Sequence, residues 1–347
     1  MKQMINLKDF TYDELKAFLE EMGEKGFRAG QIYKWLHLGV LSFDEMTDIS
    51  KELRIKLSEI STVGGIKPLK KLVSSDGTVK ILWELSDGET VESVVMEYKH
   101  GNSVCISTQV GCAMGCKFCA STIGGKVRNL TAGEILDEVI FSEKITGKKI
   151  SNIVLMGIGE PLDNYENVVK FLKNVGDSRG INIGYRHISL STCGIVPGIY
   201  KLAEEKMPIT LSVSLHASSN DTRDKIMPVN KAYNIDELLK ACKFFIKKVG
   251  RRISFEYAMI EGVNDTEKDA EQLSKLLKGM LCHVNLIPVN SVKESELKRS
   301  SEKAIYKFQH MLEKKGLTVT VRRELGSDIS ASCGQLRRQN MANSGSK

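Results

Sequence analysis

Cys112, Cys116 and Cys119 stand in the run QVGCAMGCKFCAS, a Cys-x3-Cys-x2-Cys spacing with no fourth cysteine or histidine close by. A structural zinc site closes its coordination shell with four protein ligands. Three thiolates in one tight loop can instead hold three irons of a cubic iron–sulfur cluster and leave the fourth iron open to a small molecule. The competing readings are a free-thiol loop or a zinc site that borrows a distant ligand.

Something must present that loop. From residue 103 onward, short β-rich runs alternate with helical ones. Ser103–Val110, Asn152–Gly157, His187–Thr192, Thr210–Leu215, Ile253–Ile260 and His283–Pro288 read as strands. Between them Thr131–Thr146, Glu166–Val175, Ile199–Lys206, Ile235–Val249 and Lys268–Lys278 read as helices, followed by a helix at Ala304–Lys315 and a strand at Leu317–Arg322. Such alternation predicts parallel strands with right-handed crossovers, an α/β fold in the form of a partial (β/α)6 barrel. Ahead of it, residues 1–65 read as a helical accessory domain. Residues 66–100 read as a linker with the basic patch Lys67, Lys70 and Lys71, then a hairpin, Thr78–Leu85 and Thr90–Met96, around Ser86-Asp87-Gly88. The core is expected over 101–338, with a polar, disordered tail at 339–347.

In parallel α/β folds ligands gather at the carboxyl ends of the strands. The cysteine loop follows the first predicted core strand. Gly157-Ile158-Gly159-Glu160-Pro161 follows the second, Ser191-Thr192-Cys193-Gly194 ends the third, Ser214-Leu215-His216 the fourth, and Asn290 follows the sixth. Each member has an ordinary reading. Gly157-x-Gly159 can be a plain turn, Ser191 a helix cap, His216 a packed histidine and Asn290 a turn residue. Five such ends on one rim are far more specific than any one of them.

Composition sets the setting. The 347 residues are 41% hydrophobic and 27% charged, with 50 basic and 43 acidic side chains and a net charge of +7. That balance mildly favours an anionic partner such as nucleic acid. The first residues, MKQMINLKDFTYDELKAF, mix charges early and do not resemble a signal peptide. No segment approaches the ~20 apolar residues of a membrane span. Eight cysteines with no export signal point to the cytoplasm, where clustered thiols serve as ligands or catalysts.

The stretches QVGCAMGCKFCAS, MGIGEPLDN, HISLSTCGIVP, SLHA, MPVNKAYNI, NLIPVN and ISASCGQL occur in order over about residues 90–337. Together they resemble the RlmN family, radical S-adenosylmethionine (SAM) enzymes that methylate C2 of adenine in RNA. The resemblance implies a [4Fe-4S] cluster on Cys112, Cys116 and Cys119, with SAM chelating the open iron. Two SAM molecules would be used per turnover. Gly159 and Glu160 would hold the region of its amino group, and Ser191, Ser214, Leu215, His216 and Asn290 the rest. Cys333 matches the cysteine that the family methylates on itself, and Cys105 matches its partner, the base that then forms a transient disulfide with it. Glu92, in Val91-Glu92-Ser93-Val94, matches a family position that can act as proton acceptor. By its residues alone, Glu92 reads as an exposed alternate position and Cys105 as a buried strand cysteine. Cys193, Cys242 and Cys282 are expected to be small core residues.

The implied partners are 23S rRNA, tRNA or both, and an electron donor such as flavodoxin, with the enzyme a monomer. Arg128, Lys148, Lys149, Arg186, Arg251, Arg252, Arg322, Arg323, Arg337 and Arg338 are candidates for phosphate contact. Two other readings stand beside this one: a Cfr-type enzyme methylating C8, and a metal-stabilised RNA-binding module without catalysis.

Overall fold

The structure is a computed structural model that describes residues 4–290, 296–329 and 331. Cys333, Arg337, Arg338 and the expected disordered tail lie outside the described residues.

The N-terminal region forms helices α1 (Tyr12–Glu21), α2 (Arg28–His37) and α3 (Lys51–Ser58). Thr11 and Glu14 close a capping box at the start of α1, satisfying amide groups that have no partner inside the helix. Leu15, Leu19, Ile32, Leu36, Leu53 and Leu57 turn inward to a core of their own. A two-residue parallel pairing of β1 (Ile5–Asn6) with β2 (Ser61–Thr62) closes the unit.

Its junction with the rest is polar and buried. Lys8 pairs with Asp137, both almost wholly out of solvent, and Asp137 also accepts the Gly65 amide at 2.8 Å. Asn174 Nδ2 donates to the Phe10 carbonyl at 3.0 Å.

The body is one ten-stranded sheet. Its edge is β3 (Lys67–Val73), followed by β4 (Val79–Glu84), β5 (Thr90–Tyr98) and β6 (Gly101–Cys105), all paired antiparallel. From β6 the ladder is parallel, through β9 (Ile150–Leu155), β10 (Ile188–Thr192), β11 (Thr210–Ser214), β12 (Ile253–Met259), β13 (Cys282–Pro288) and β14 (Val319–Val321). Helices α4 (Ala132–Thr146), α5 (Tyr165–Gly176), α6 (Val196–Glu204), α7 (Asn220–Ile226), α8 (Ile235–Val249), α9 (Glu267–Leu277) and α10 (Glu302–Lys314) connect the parallel strands. The partial-barrel reading and the hairpin extension are both seen, and the hairpin continues the barrel sheet.

Two expectations change. The basic patch at 67–71 is an edge strand whose lysines are exposed, the kind of charged edge that discourages pairing with other chains. Ser103–Val110 is not a single strand. β6 ends at Cys105, and after Ile106-Ser107-Thr108 the chain enters β7 (Gln109–Gly111), which pairs antiparallel with β8 (Lys126–Asn129) in a separate two-stranded sheet. A buried carboxylate drives the break. Glu138 of α4 accepts the Ser107 amide at 3.1 Å, leaving that amide unavailable to a ladder.

Candidate active site

The β7–β8 ribbon is the frame of the cysteine loop. The Cys112 amide donates to the Gly125 carbonyl at 3.2 Å, and Thr122 Oγ1 donates to the Cys119 carbonyl at 2.9 Å. Gln109 ties this ribbon to its neighbour. Its Oε1 accepts the Glu160 amide at 2.8 Å, and its Nε2 donates to Asn129 Oδ1 and Asp163 Oδ2, both at 2.8 Å. The glycines of Gly157-Ile158-Gly159 permit this approach. A Cβ on Gly157 would stand 2.6 Å from the Ile106 carbonyl oxygen, and one on Gly159 would stand 2.8 Å from the Gln109 amide. Gly159 also has φ +110, in the region that favours glycine. The close approach that explains these glycines is therefore to the protein's own backbone.

A cavity of about 500 Å³ opens at the carboxyl ends of the strands. Cys112, Cys116, Cys119, Gly159, Glu160, Ser191, Ser214, His216, Asn290, Cys105 and Glu92 all line it. Leu215 does not. Its side chain is fully buried in the main core, while its amide donates to the Glu256 carbonyl at 3.1 Å.

Glu160 is a strut between strand ends. It is buried, its Oε2 accepts the Cys193 amide at 2.7 Å and its Oε1 the Leu162 amide at 3.0 Å. Burial pushes its carboxyl up, against the pull of those amides. His216 adopts φ +54, uncommon outside glycine. Its Nδ1 accepts the Ala258 amide at 2.8 Å, which fixes a neutral tautomer with hydrogen on Nε2. Burial, aided by Arg223, pushes its imidazole down to about 3.

The three loop thiols share one wall. Burial pushes the Cys112 thiol up to about 12, with negative charge at Cys119 and Glu160 adding to the effect. Cys116 moves the same way for the same leading reason. Cys112 and Cys116 thus favour thiolates only beside a strong cation, and bound metal inverts the local balance in that sense. Among the described residues, no three His, Cys, Asp and Glu side chains converge closely enough for a single metal ion. A cubic cluster puts each thiolate on its own iron, so its ligands need not converge, and the loop fits that group.

β5 and β6 also supply part of the cavity wall, through Glu92, Val94, Met96, Tyr98 and Cys105. Cys105 packs with Val94 and Met96, and Leu325 and Ala331 lie against them. Glu92 is buried, contrary to the exposed position expected from its neighbours, and Lys80 Nζ stands 3.6 Å from its Oε2. The segment carrying Ala331 is tethered to the turn between β3 and β4. Asp328 accepts Ser74 Oγ at 2.5 Å and the Ser75 amide at 3.0 Å, and Asp76 accepts the Gly326 amide at 2.8 Å. Cys333 follows two positions beyond Ala331 in sequence.

Sequence reasoning missed Arg223 and Glu256. Arg223 is fully buried and donates to the carbonyls of Cys193 (2.7 Å), Ser214 (3.1 Å) and Leu215 (3.1 Å), clamping the ends of β10 and β11. Nothing in Asn220-Asp221-Thr222-Arg223-Asp224 separates it from a solvated charge. Glu256, which lines the cavity, carried a signal: it is the single charge in the run Ile253–Met259. It accepts Ser254 Oγ at 2.7 Å and Asn285 Nδ2 at 2.8 Å. Of the candidate phosphate contacts, Arg128 is occupied by Glu134 and Asp87, and Lys148 by Glu97, whereas Arg322 and Arg323 line the cavity.

Residues 106–274 match the radical SAM superfamily, and residues 5–63 match the ribosomal RNA large subunit methyltransferase N-terminal domain, RlmN_N. The fold, the open-shell cysteine loop and these matches define a radical SAM enzyme, a class that works with a [4Fe-4S] cluster and SAM. The chain is 59% identical to the probable dual-specificity RNA methyltransferase RlmN of Clostridium beijerinckii, over 96% of this chain and 95% of that protein. It is 56% identical to the corresponding protein of Clostridium perfringens strain SM101, over 99% and 100%. The crystal structure of a radical SAM methyltransferase from Sphaerobacter thermophilus superposes with a TM-score of 0.91 at 41% identity, covering 95% of this chain and 98% of that one. The chain belongs to the RlmN family of radical SAM RNA methyltransferases. Among the described residues, no helix is long and apolar enough to cross a membrane.

Proposed function

We propose that this enzyme methylates C2 of adenine in 23S rRNA and in tRNA, carrying the methyl carbon on Cys333. One observation carries the reading: Cys105 and Glu92 line the same cavity as the three loop cysteines, and the segment ending at Ala331, just short of Cys333, packs against the cluster of Val94, Met96 and Cys105.

In this reading Cys112, Cys116 and Cys119 hold the cluster. When bound, the cluster supplies the electron that cleaves SAM and yields a carbon radical. Gly159 and Glu160 hold the region of the SAM amino group, and Ser191, Ser214, His216 and Asn290 line the rest. His216 offers its Nε2–H as a donor, while Leu215, whose amide and carbonyl are taken by Glu256 and Arg223, acts by bracing the strand end.

Adenine C2 is electron-poor and has no lone pair to attack a SAM methyl group, so ordinary displacement does not serve. The Cys333 sulfur first takes a methyl group from one SAM and releases its proton. The S-methyl carbon then gives up a hydrogen atom to the radical and bonds to C2, leaving the RNA attached to Cys333. Cys105 takes the C2 proton, and the adduct's odd electron would pass back to the oxidised cluster held by Cys112, Cys116 and Cys119. Glu92, on the neighbouring strand, takes that proton onward so that Cys105 returns to thiolate. The Cys105 sulfur then bonds the Cys333 sulfur as the S–C bond breaks, and the carbon keeps the electron pair and is protonated to methyl. Two electrons from an external dithiol reduce the disulfide.

The target base must leave its stack to enter the cavity, and Arg322 and Arg323, which line that cavity, would meet its phosphates. The helical unit at 1–65 acts as an accessory RNA-binding domain to the core at 101–338, with the 66–100 hairpin joining them. The enzyme works as a cytoplasmic monomer, reduced by a flavodoxin-type donor.

The test is to incubate anaerobically reconstituted, reduced enzyme with SAM and both RNAs, digest them, and compare the nucleosides with C2- and C8-methyladenosine by mass spectrometry. C2-methyladenosine is expected. C8-methyladenosine alone would assign the Cfr-type reaction, and protein-bound zinc with no SAM cleavage would assign a binding module.

A further inference from the structure

Lys80 is fully excluded from solvent, on a strand, β4, that is otherwise apolar apart from its terminal Glu84. It lies directly opposite Val94 on β5, so Glu92 is its diagonal neighbour, within reach of a long side chain on the same sheet face. Its Nζ stands 3.6 Å from Glu92 Oε2. Burying an ammonium is costly unless it is well compensated. The chain thus keeps a costly cation behind the wall that Glu92 shares with Val94, Met96 and Cys105.

An apolar wall alone would favour the protonated carboxyl, which has no capacity to accept a proton. We propose that Lys80 is a positioning residue that keeps Glu92 ionised and aimed at the cavity, ready to accept the proton released in methyl transfer. The inference rests on the reading of Glu92 as proton acceptor. The proton moves from the Cys105 thiol to Glu92, with no electron exchanged and no bond made to Lys80. Among the described residues, the other charged groups nearby are these. Glu138 reaches Ser93 and Ser107 from α4. Cys105 flanks Glu92 on β6, and Glu160, Glu256, Arg322, Arg323 and Glu324 line the same cavity.

The experiment measures single-turnover RNA methylation against pH in wild type, Lys80→Met, Lys80→Arg and Glu92→Gln, each loaded with cluster. Glu92→Gln is expected to lose about 10²- to 10⁴-fold, the usual worth of a positioned proton acceptor. Lys80→Met is expected to move the ascending limb up by about 1 to 3 pH units, the usual effect of losing a close opposite charge. Lys80→Arg is expected to leave the limb where it is. If Glu92→Gln turns over like wild type, the proton-acceptor reading fails and the inference with it. If Glu92→Gln is impaired but Lys80→Met keeps the wild-type limb, the Lys80 inference alone fails. Should Lys80→Met not fold, infrared difference spectra of wild type minus Glu92→Gln decide: an ionised carboxylate band at pH 6 supports the inference, and a protonated carboxyl band overturns it.

Discussion

Asp328 accepts the Ser74 hydroxyl at 2.5 Å, joining the segment after β14 to the turn between β3 and β4 across 254 positions of sequence. Bonds from Ser74 and Ser75 hold its carboxyl below the usual carboxylate range. A carboxylate so lowered keeps its contribution above the unfolded value and loses it only as pH falls through the folded one, so the tether is intact at neutral pH. It fixes where the chain leaves for Cys333. Asp328→Ala is expected to slow methyl transfer by roughly 10- to 100-fold, the scale of misplacing a reacting group. SAM cleavage in the absence of RNA should stay near wild type. Parallel assays of 5′-deoxyadenosine and methylated RNA check this, and equal losses in both would contradict it.

His216 is held neutral by burial and by the Ala258 amide on Nδ1. Its folded value, about 3, lies below the ordinary 6.5. The unfolded chain therefore binds the extra proton between those values, so the stabilisation is complete above about pH 6.5 and is lost as pH falls toward 3. His37, lowered to about 4 by burial, acts in the same direction. Histidine-selective NMR should find neither ring titrating between pH 8 and pH 5. A midpoint near 6.5 for His216 would contradict the buried tautomer.

Arg223 spans the carbonyls of Cys193, Ser214 and Leu215. Arg223→Met leaves these buried acceptors without their donor. A loss of at least about 1–3 kcal/mol is expected, the usual cost of one such group. Denaturant titration measures it. SAM affinity should fall too, because Ser214 and the Cys193 turn that Glu160 braces share these strand ends.

Gly157→Ala puts a methyl group 2.6 Å from the Ile106 carbonyl, and backbone atoms have no rotamer to yield. A destabilisation of about 1–3 kcal/mol is expected, as for other overpacked sites. Gly184→Ala, where φ is −63 and a Cβ meets only His187 Cδ2 at 3.9 Å, is the control for adding a methyl group without a clash. Equal costs at both sites would show that the approach to Ile106 carries no penalty.

What the sequence made legible follows from the range of the interactions. Helix α8 was read to the residue, because its apolar spacing, its Asn234–Glu237 capping box and its Gly250 terminator are all local. The cysteine loop and the strand-end motifs were legible because each is one contiguous run. The break after Cys105 was not, since it depends on Glu138, 31 residues from the Ser107 whose amide it takes. Nor was the burial of Glu92, whose partner Lys80 sits on another strand. Arg223 stayed hidden because the carbonyls that justify its burial belong to strand ends that only the fold assembles.

The central claim is that the methyl carbon reaches RNA through Cys333 and is released by Cys105. Its most direct test is Cys105→Ala, loaded with cluster and turned over with SAM, reductant and RNA, then run on a denaturing gel. The account predicts a covalent protein–RNA species that disappears in Cys105→Ala combined with Cys333→Ala. Freely released methylated RNA at the wild-type rate, with no adduct, would contradict it.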